Sequence, residues 1–237
     1  MRTAQATYVY GVTRRGAVAV DAAGVAGGRV FELAHRDLAA VVGHVPSAHV
    51  RAKRRDLLAH AEVLQQVFSG ETVVPLRFGT VLASDEAVVD EFLKPRHDSL
   101  VRLLGRLDGL AELTLRAHYD EQAVLREIVR DDARVARLKE RGADVDLGAA
   151  VAAALEAKRA AEAEAFHRAL APLARDTSRG ELHSEYELLR AAFLVERSRL
   201  PAFDAAVDAL ARSRAGVVVC KYVGPLPPHS FADLERP

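Results

Sequence analysis

The tightest constraint on this chain lies in its second half. Glu112-Leu113-Thr114-Leu115-Arg116-Ala117-His118-Tyr119 alternates polar with apolar side chains, which puts every second residue on one face of a half-buried strand. A helical stretch follows, which Gly142 and Gly148 are expected to divide. Its last piece sets Val151, Leu155, Phe166, Leu170 and Leu173 on one face, pairs Glu164 with Arg168 at the surface, and ends or kinks at Pro172. A short polar strand is expected around 175–182 and a stronger one over 188–196. Pro201 opens a helix carrying Phe203, Val207 and Leu210, and Val217 to Val223 closes the series as an apolar strand. Strand, helix, strand, strand, helix, strand is the order of a ferredoxin-like sheet, which fixes a scaffold and leaves its chemistry open.

The first half mixes the two periods. Thr7 to Val12 reads as a strand, and Val30–Leu33 and Leu38–Val45 as a hairpin joined across His35-Arg36-Asp37. From about His49 the spacing becomes helical, with Leu57, Ala61, Leu64 and Phe68 forming an apolar stripe that ends at Ser69-Gly70. Val73 to Leu82 is extended but punctuated by Pro75 and Gly79, as an edge or bulged strand would be. Ser84 caps a further helix, which bears Val88 and Phe92, kinks at Pro95, and continues through Leu100, Leu103, Leu104 and Leu107 to Gly109. With 237 residues, half of them hydrophobic, the chain can fill two modest cores. The expected class is α+β: a mixed N-terminal domain over 1–108, and over 109–237 a modified ferredoxin-like βαββαβ domain with a long helical insertion and a proline-rich tail.

Charge and motif content narrow the functions. The 33 basic and 33 acidic residues cancel, so no long-range field draws the whole protein to nucleic acid or an anionic membrane. The opening Met1 to Ala6 lacks the apolar segment and cleavage site of a secretory signal, and no uncharged apolar run reaches the roughly 20 residues of a membrane span. A cytoplasmic protein is expected. The single cysteine, Cys220, sits in an apolar run and reads as a small buried hydrophobe; a lone cysteine excludes an intrachain disulfide. Gly24-Val25-Ala26-Gly27-Gly28 lacks the Lys-Ser/Thr of a phosphate loop and the spacing of a dinucleotide fingerprint. His44 and His49, across Pro46, have no ligand motif around them. No catalytic residue, metal ligand or cofactor is expected. His60 shares the apolar stripe and reads as a buried, neutral imidazole; an enzyme reading would need it in an open pocket. Arg51-Ala52-Lys53-Arg54-Arg55 is the one dense basic cluster and reads as a solvated helix face, with a docking patch for a partner protein as the main functional reading.

Four segments in order identify a relationship: Tyr8-Val9-Tyr10-Gly11, Val74-Pro75-Leu76-Arg77-Phe78-Gly79-Thr80, Ala192-Phe193-Leu194-Val195 and Gly224-Pro225-Leu226-Pro227-Pro228-His229-Ser230-Phe231. Together they resemble the gas vesicle protein F/L family (GvpF/GvpL) from about Tyr8 to Phe231. The tail departs from the family pattern at Leu226 and His229, which stand where the family carries aromatic residues. The resemblance implies a non-enzymatic accessory protein of gas vesicles that engages the hydrophobic major shell protein and other accessory proteins, without nucleic acid or membrane. Arg77, Phe78, Pro225, Leu226, Pro227, Pro228 and Phe231 are the candidate partner-binding residues. A ferredoxin-like module that binds a ligand or nucleic acid through the basic segment 51–55 is the alternative.

Overall fold

The structure is a computed structural model and describes residues 6–16, 20–142 and 144–233. Met1 to Gln5, on which the expected absence of a secretory signal rests, lies outside the described residues. The chain divides into two compact units, one made of Met1–Glu112 with Pro225–Pro237 and the other of Leu113–Gly224. The tail, grouped by sequence with the second half, thus packs with the first.

In the first unit the organising strand is β1 (Ala6–Arg14), buried from Ala6 to Thr13. Its β-branched and aromatic residues suit a strand covered on both faces. The expected hairpin is present as β2 (Val30–His35) and β3 (Leu38–Val45), in register from Val30 opposite Gly43 to His35 opposite Leu38. β3 pairs antiparallel with β1, and the register slips between Val9 and Gly11, which leaves Tyr10 in a bulge. On the other side of β1 lie β4 (Val74–Pro75) and β5 (Val81–Leu82), pairing antiparallel at Gly11–Pro75, Val12–Val74, Thr7–Leu82 and Tyr8–Val81. The segment 73–82 is therefore both an edge and an interrupted strand. A Cβ on Gly11 would stand 2.8 Å from the Val74 carbonyl oxygen and from a Val73 methyl, so the close approach of β4 requires glycine there.

Helix α1 (Arg54–Gly70) starts later than the periodicity suggests and is turned by about one position. Asp56, His60, Val63, Leu64, Val67 and Phe68 are buried, whereas Leu57 and Ala61 of the expected stripe are exposed. Ser84 caps the next helical run, its hydroxyl accepting from the Ala87 N–H. That run comprises α2 (Asp85–Ala87), a π-helical stretch (Val88–Leu93) and α3 (Lys94–Leu107). The π stretch ends two residues before Pro95, which has no N–H to offer the Glu91 carbonyl one turn back. Arg96 Nη1 donates to that carbonyl instead, at 2.9 Å.

In the second unit β6 (Leu110–Tyr119) realises the predicted alternation: Leu113, Leu115, Ala117 and Tyr119 are buried while Arg116 and His118 are exposed. The helical stretch breaks into α4 (Glu121–Asp131), α5 (Ala133–Arg141) and α6 (Asp144–Leu170). Gly142 ends α5 with a left-handed φ of 64°, but Gly148 lies inside α6 and interrupts nothing. The break comes at Asp132, whose carboxylate accepts from the Arg134 and Val135 amides. Glu164 pairs with Arg179 at 3.2 Å; the expected partner Arg168 is not its ligand here. β7 (Asp176–Arg179), β8 (Glu187–Glu196), α7 (Leu200–Ser213) and β9 (Val218–Leu226) complete a sheet of order β7-β8-β6-β9. β9 runs past Val223 through Pro225, which an edge strand tolerates because the missing N–H would face away from the ladder. Phe193 and Phe203, 5.1 Å between centroids, anchor the core, and Cys220 is half-buried against it. Arg214 and Lys158 each pair with both Glu127 and Glu162 at 2.9 to 3.0 Å, a closed ring with no charge left over.

Candidate functional site

Two of the four identifying segments meet inside the first unit, around His60, and the tail belongs to the same unit. From β1, Tyr8 and Tyr10 bring their rings to 4.9 Å of each other, and each stands 5.7 Å from the imidazole of His60 on α1. From the interrupted edge strand, Phe78 places its ring 5.9 Å from Tyr8 and 5.7 Å from His60. The backbones are tied as well: the Leu76 N–H donates to the Tyr10 carbonyl, and the Val9 N–H to the Thr80 carbonyl. The loop between β4 and β5 closes on itself, because Thr80 donates from its hydroxyl to the Arg77 carbonyl at 2.8 Å. Gly79, at φ 90°, turns its N–H onto the Tyr8 hydroxyl at 3.0 Å.

The Tyr8 hydroxyl, which accepts from the Gly79 amide, also stands within hydrogen-bonding distance of His60 Nδ1, at 2.9 Å. Desolvation, with a neighbouring His229 that disfavours a second charge, presses the His60 pKa down to about 4. Burial raises the pKa of Tyr8 and of Tyr10, whose hydroxyl accepts from the Val25 amide at 2.7 Å. His60 is 6% exposed with Nδ1 engaged by Tyr8, so it is not the open general base that an enzyme reading requires.

The tail is fastened elsewhere in the same unit. Glu112, 4% exposed, accepts from the Ser230 amide at 2.7 Å and from its hydroxyl at 2.8 Å. Arg106 donates to the Phe231 carbonyl at 3.2 Å, and the Phe231 ring is 1% exposed. Pro227 and Pro228 are buried, Leu226 is half-buried and Pro225 exposed. His229 is exposed as a residue, yet the atoms crowded about its ring hold its pKa down. Of the candidate partner-binding residues, Phe78, Pro227, Pro228 and Phe231 are drawn into the interior to different degrees, whereas Arg77 and Pro225 face solvent. Glu112 and Arg106 escape sequence reasoning, although a lone carboxylate within Leu110-Ala111-Glu112-Leu113 is a signal of a buried acceptor with a distant partner.

The glycine-rich 24–28 segment is likewise committed internally: its amides serve the Tyr10 hydroxyl and, from Ala26 at 3.2 Å, the Asp56 carboxylate. Among the described residues no group of three His, Cys, Asp or Glu side chains is placed to hold a metal, and no helix is long and apolar enough to cross a membrane.

Residues 6–233 match the family described as gas vesicle synthesis protein GvpL/GvpF. Gas vesicle protein F of Streptomyces sp. (strain CB03234) is 35% identical over 96% of this chain and 99% of its own length. Gas vesicle protein L of the same strain is 32% identical over 100% of this chain and 96% of its own. The crystal structure of GvpF from Anabaena sp. PCC7120 superposes with a TM-score of 0.87 at 21% identity, covering 98% of this chain and 100% of that one. GvpF from Microcystis aeruginosa superposes at 0.80 and 20% identity, over 96% and 99% of the two chains. The match of residues 6–233 to the family model, with relatives 35% and 32% identical over nearly the whole length of both chains, shows that the chain belongs to the GvpL/GvpF family of gas vesicle proteins.

Proposed function

We propose that this chain is a cytoplasmic, non-enzymatic accessory protein of gas vesicles, a minor structural component or assembly factor that binds the hydrophobic major shell protein and supports vesicle nucleation. The observation that carries the reading is the packing of Tyr8, Tyr10, Phe78 and His60 into one internal cluster, with Phe231 of the tail also buried. Such a cluster holds a surface in shape; it offers no activated nucleophile or free base. Arg77 and Pro225, with the exposed edges of Phe78 and Leu226, are the parts of those segments available to a partner, and Pro227, Pro228 and Phe231 hold them in place. In the second unit the order β7-β8-β6-β9 supports a modified ferredoxin-like domain with α4 to α6 as its helical insertion. The basic segment 51–55 belongs to the first unit and not to that sheet, which weighs against a ferredoxin-like module binding nucleic acid through it.

Co-expression of the full chain with the shell protein, followed by pull-down, tests the proposal. Recovery of a complex that Arg77→Ala weakens is expected. A chain that folds but retains no vesicle protein overturns it.

A further inference from the structure

The start of α1 carries features that the fold itself does not use. Arg51, Lys53, Arg54 and Arg55 are all exposed, and among the described residues only Arg55 has an acidic neighbour, Asp56 at 3.4 Å. Asp56 is itself buried and turned inward to the Ala26 amide. Cations at a helix N-terminus oppose its dipole, and Lys53 at the cap position supplies no side-chain hydrogen bond to the first turn. The arrangement therefore works against the helix that bears it. In the same stretch Leu57 and Leu58 stand 42% and 59% exposed, the only large hydrophobics so exposed in the described part of the first unit. Leu57 lies one turn from Lys53, and both leucines lie one turn from Arg54, so cations and leucines share one side of the helix start. Beside them Val45, Pro46 and Val50 line a groove of about 340 Å³ whose rim carries Arg51, Lys53 and Arg55.

We infer that this basic and leucine-bearing surface docks an acidic, amphipathic helix of a partner protein. Carboxylates on such a helix would meet the unpaired cations, and its apolar edge would cover Leu57 and Leu58. Nucleic acid is disfavoured because no Phe, Tyr or Trp lies between Arg51 and Val67 to stack on a base, and the His60 ring in that stretch is buried. A lipid surface is disfavoured because the main apolar face of α1 is committed to the core, leaving two leucines to insert. The inference does not depend on which vesicle protein the chain binds.

The test uses the full chain and a labelled synthetic helix with leucines on one face and glutamates on its flanks, read by fluorescence anisotropy. Binding should weaken as salt rises. Combined Arg51→Glu, Lys53→Glu and Arg54→Glu should weaken it at least about tenfold and should instead recruit a lysine-flanked version of the helix. Leu57→Ser with Leu58→Ser should also cost about tenfold, because burial of the pair would be lost. All variants are at exposed positions, and unchanged circular dichroism confirms their fold. The inference is overturned if a glutamate peptide without the leucine face binds equally well, if the charge-reversed chain fails to recruit the lysine-flanked helix, or if anionic vesicles or single-stranded oligonucleotides bind more tightly than the peptide.

Discussion

The tail and the start of α1 belong to the same unit and are both rich in groups that could grip a partner, yet they treat those groups in opposite ways. At the end of the tail the groups are answered from within: Phe231 is buried, its carbonyl accepts from Arg106, and Ser230 satisfies the buried Glu112. At the start of α1, three cations lack an ionic partner among the described residues and two leucines face solvent. The contrast teaches that a distinctive motif is not thereby a contact surface. Proline-rich and aromatic segments remove backbone donors and supply large apolar groups, which serve an interior strap as well as an interface. Groups left without internal partners are the better guide to where a second molecule binds.

The comparison breaks most visibly if the tail is loosened. Phe231→Ala should cost the chain roughly 3 to 5 kcal/mol, the range for emptying a buried aromatic site; urea denaturation measures it, and a loss below about 1 kcal/mol would mean that the ring is not packed as described. Tyr8→Phe is a smaller cut in the same unit. It leaves the Gly79 amide and His60 Nδ1 without their shared partner, and should cost roughly 1 to 3 kcal/mol in the same assay.

Acidity sharpens the comparison by setting two histidines of the first unit against each other. His60, with a folded pKa of about 4, remains neutral where the unfolded chain takes up a proton. Its contribution is therefore whole above about pH 6.5 and is lost as pH falls toward 4. His97 behaves in the opposite sense. Its Nδ1 and Nε2 face Asp98 at 2.9 Å and Asp37 at 2.6 Å, and the ring needs an N–H on each nitrogen to serve both. Hydrogen bonds to Asp98 and then Asp37 raise its pKa, so its contribution is full below about pH 6.5 and is lost as pH rises through the folded value. Imidazole resonances followed by NMR should show His60 titrating near pH 4 and His97 above 6.5. Titration of both near 6.5 would contradict the assignment.

The smallest expected effect falls on the other side of the comparison. Arg54→Ala and Leu58→Ser, at exposed positions, should each change stability by no more than about 0.5 kcal/mol. A larger loss would show that the patch belongs to the fold.

What could be read in the sequence follows the range of the interactions involved. The Ser84 cap and the 30–45 hairpin depend on neighbours a few residues away, and both are present; the alternation holds from Leu113 to Tyr119 but fails at Glu112, which is buried. The helical period of α1 was legible but its phase was not. His60, Leu64 and Phe68 are buried as the spacing suggests, but Leu57 looks more like a core residue than Asp56, whose burial depends on Ala26, distant in the chain. The strap was illegible for the same reason: Glu112 and Ser230 are 118 residues apart, and Arg106 and Phe231 are 125. Glu164 had an adequate partner one turn away in Arg168, and found Arg179 across a turn of the fold instead.

Amide hydrogen exchange, with and without the leucine-faced, glutamate-flanked helix bound, tests the contrast most directly. In the free chain the amides of Ser230 and Phe231, which donate to Glu112 and to the Pro228 carbonyl, should already exchange slowly, and binding should add protection over residues 53–58. Tail amides that exchange freely in the isolated chain and become protected only on binding, with 53–58 unchanged, would contradict the account.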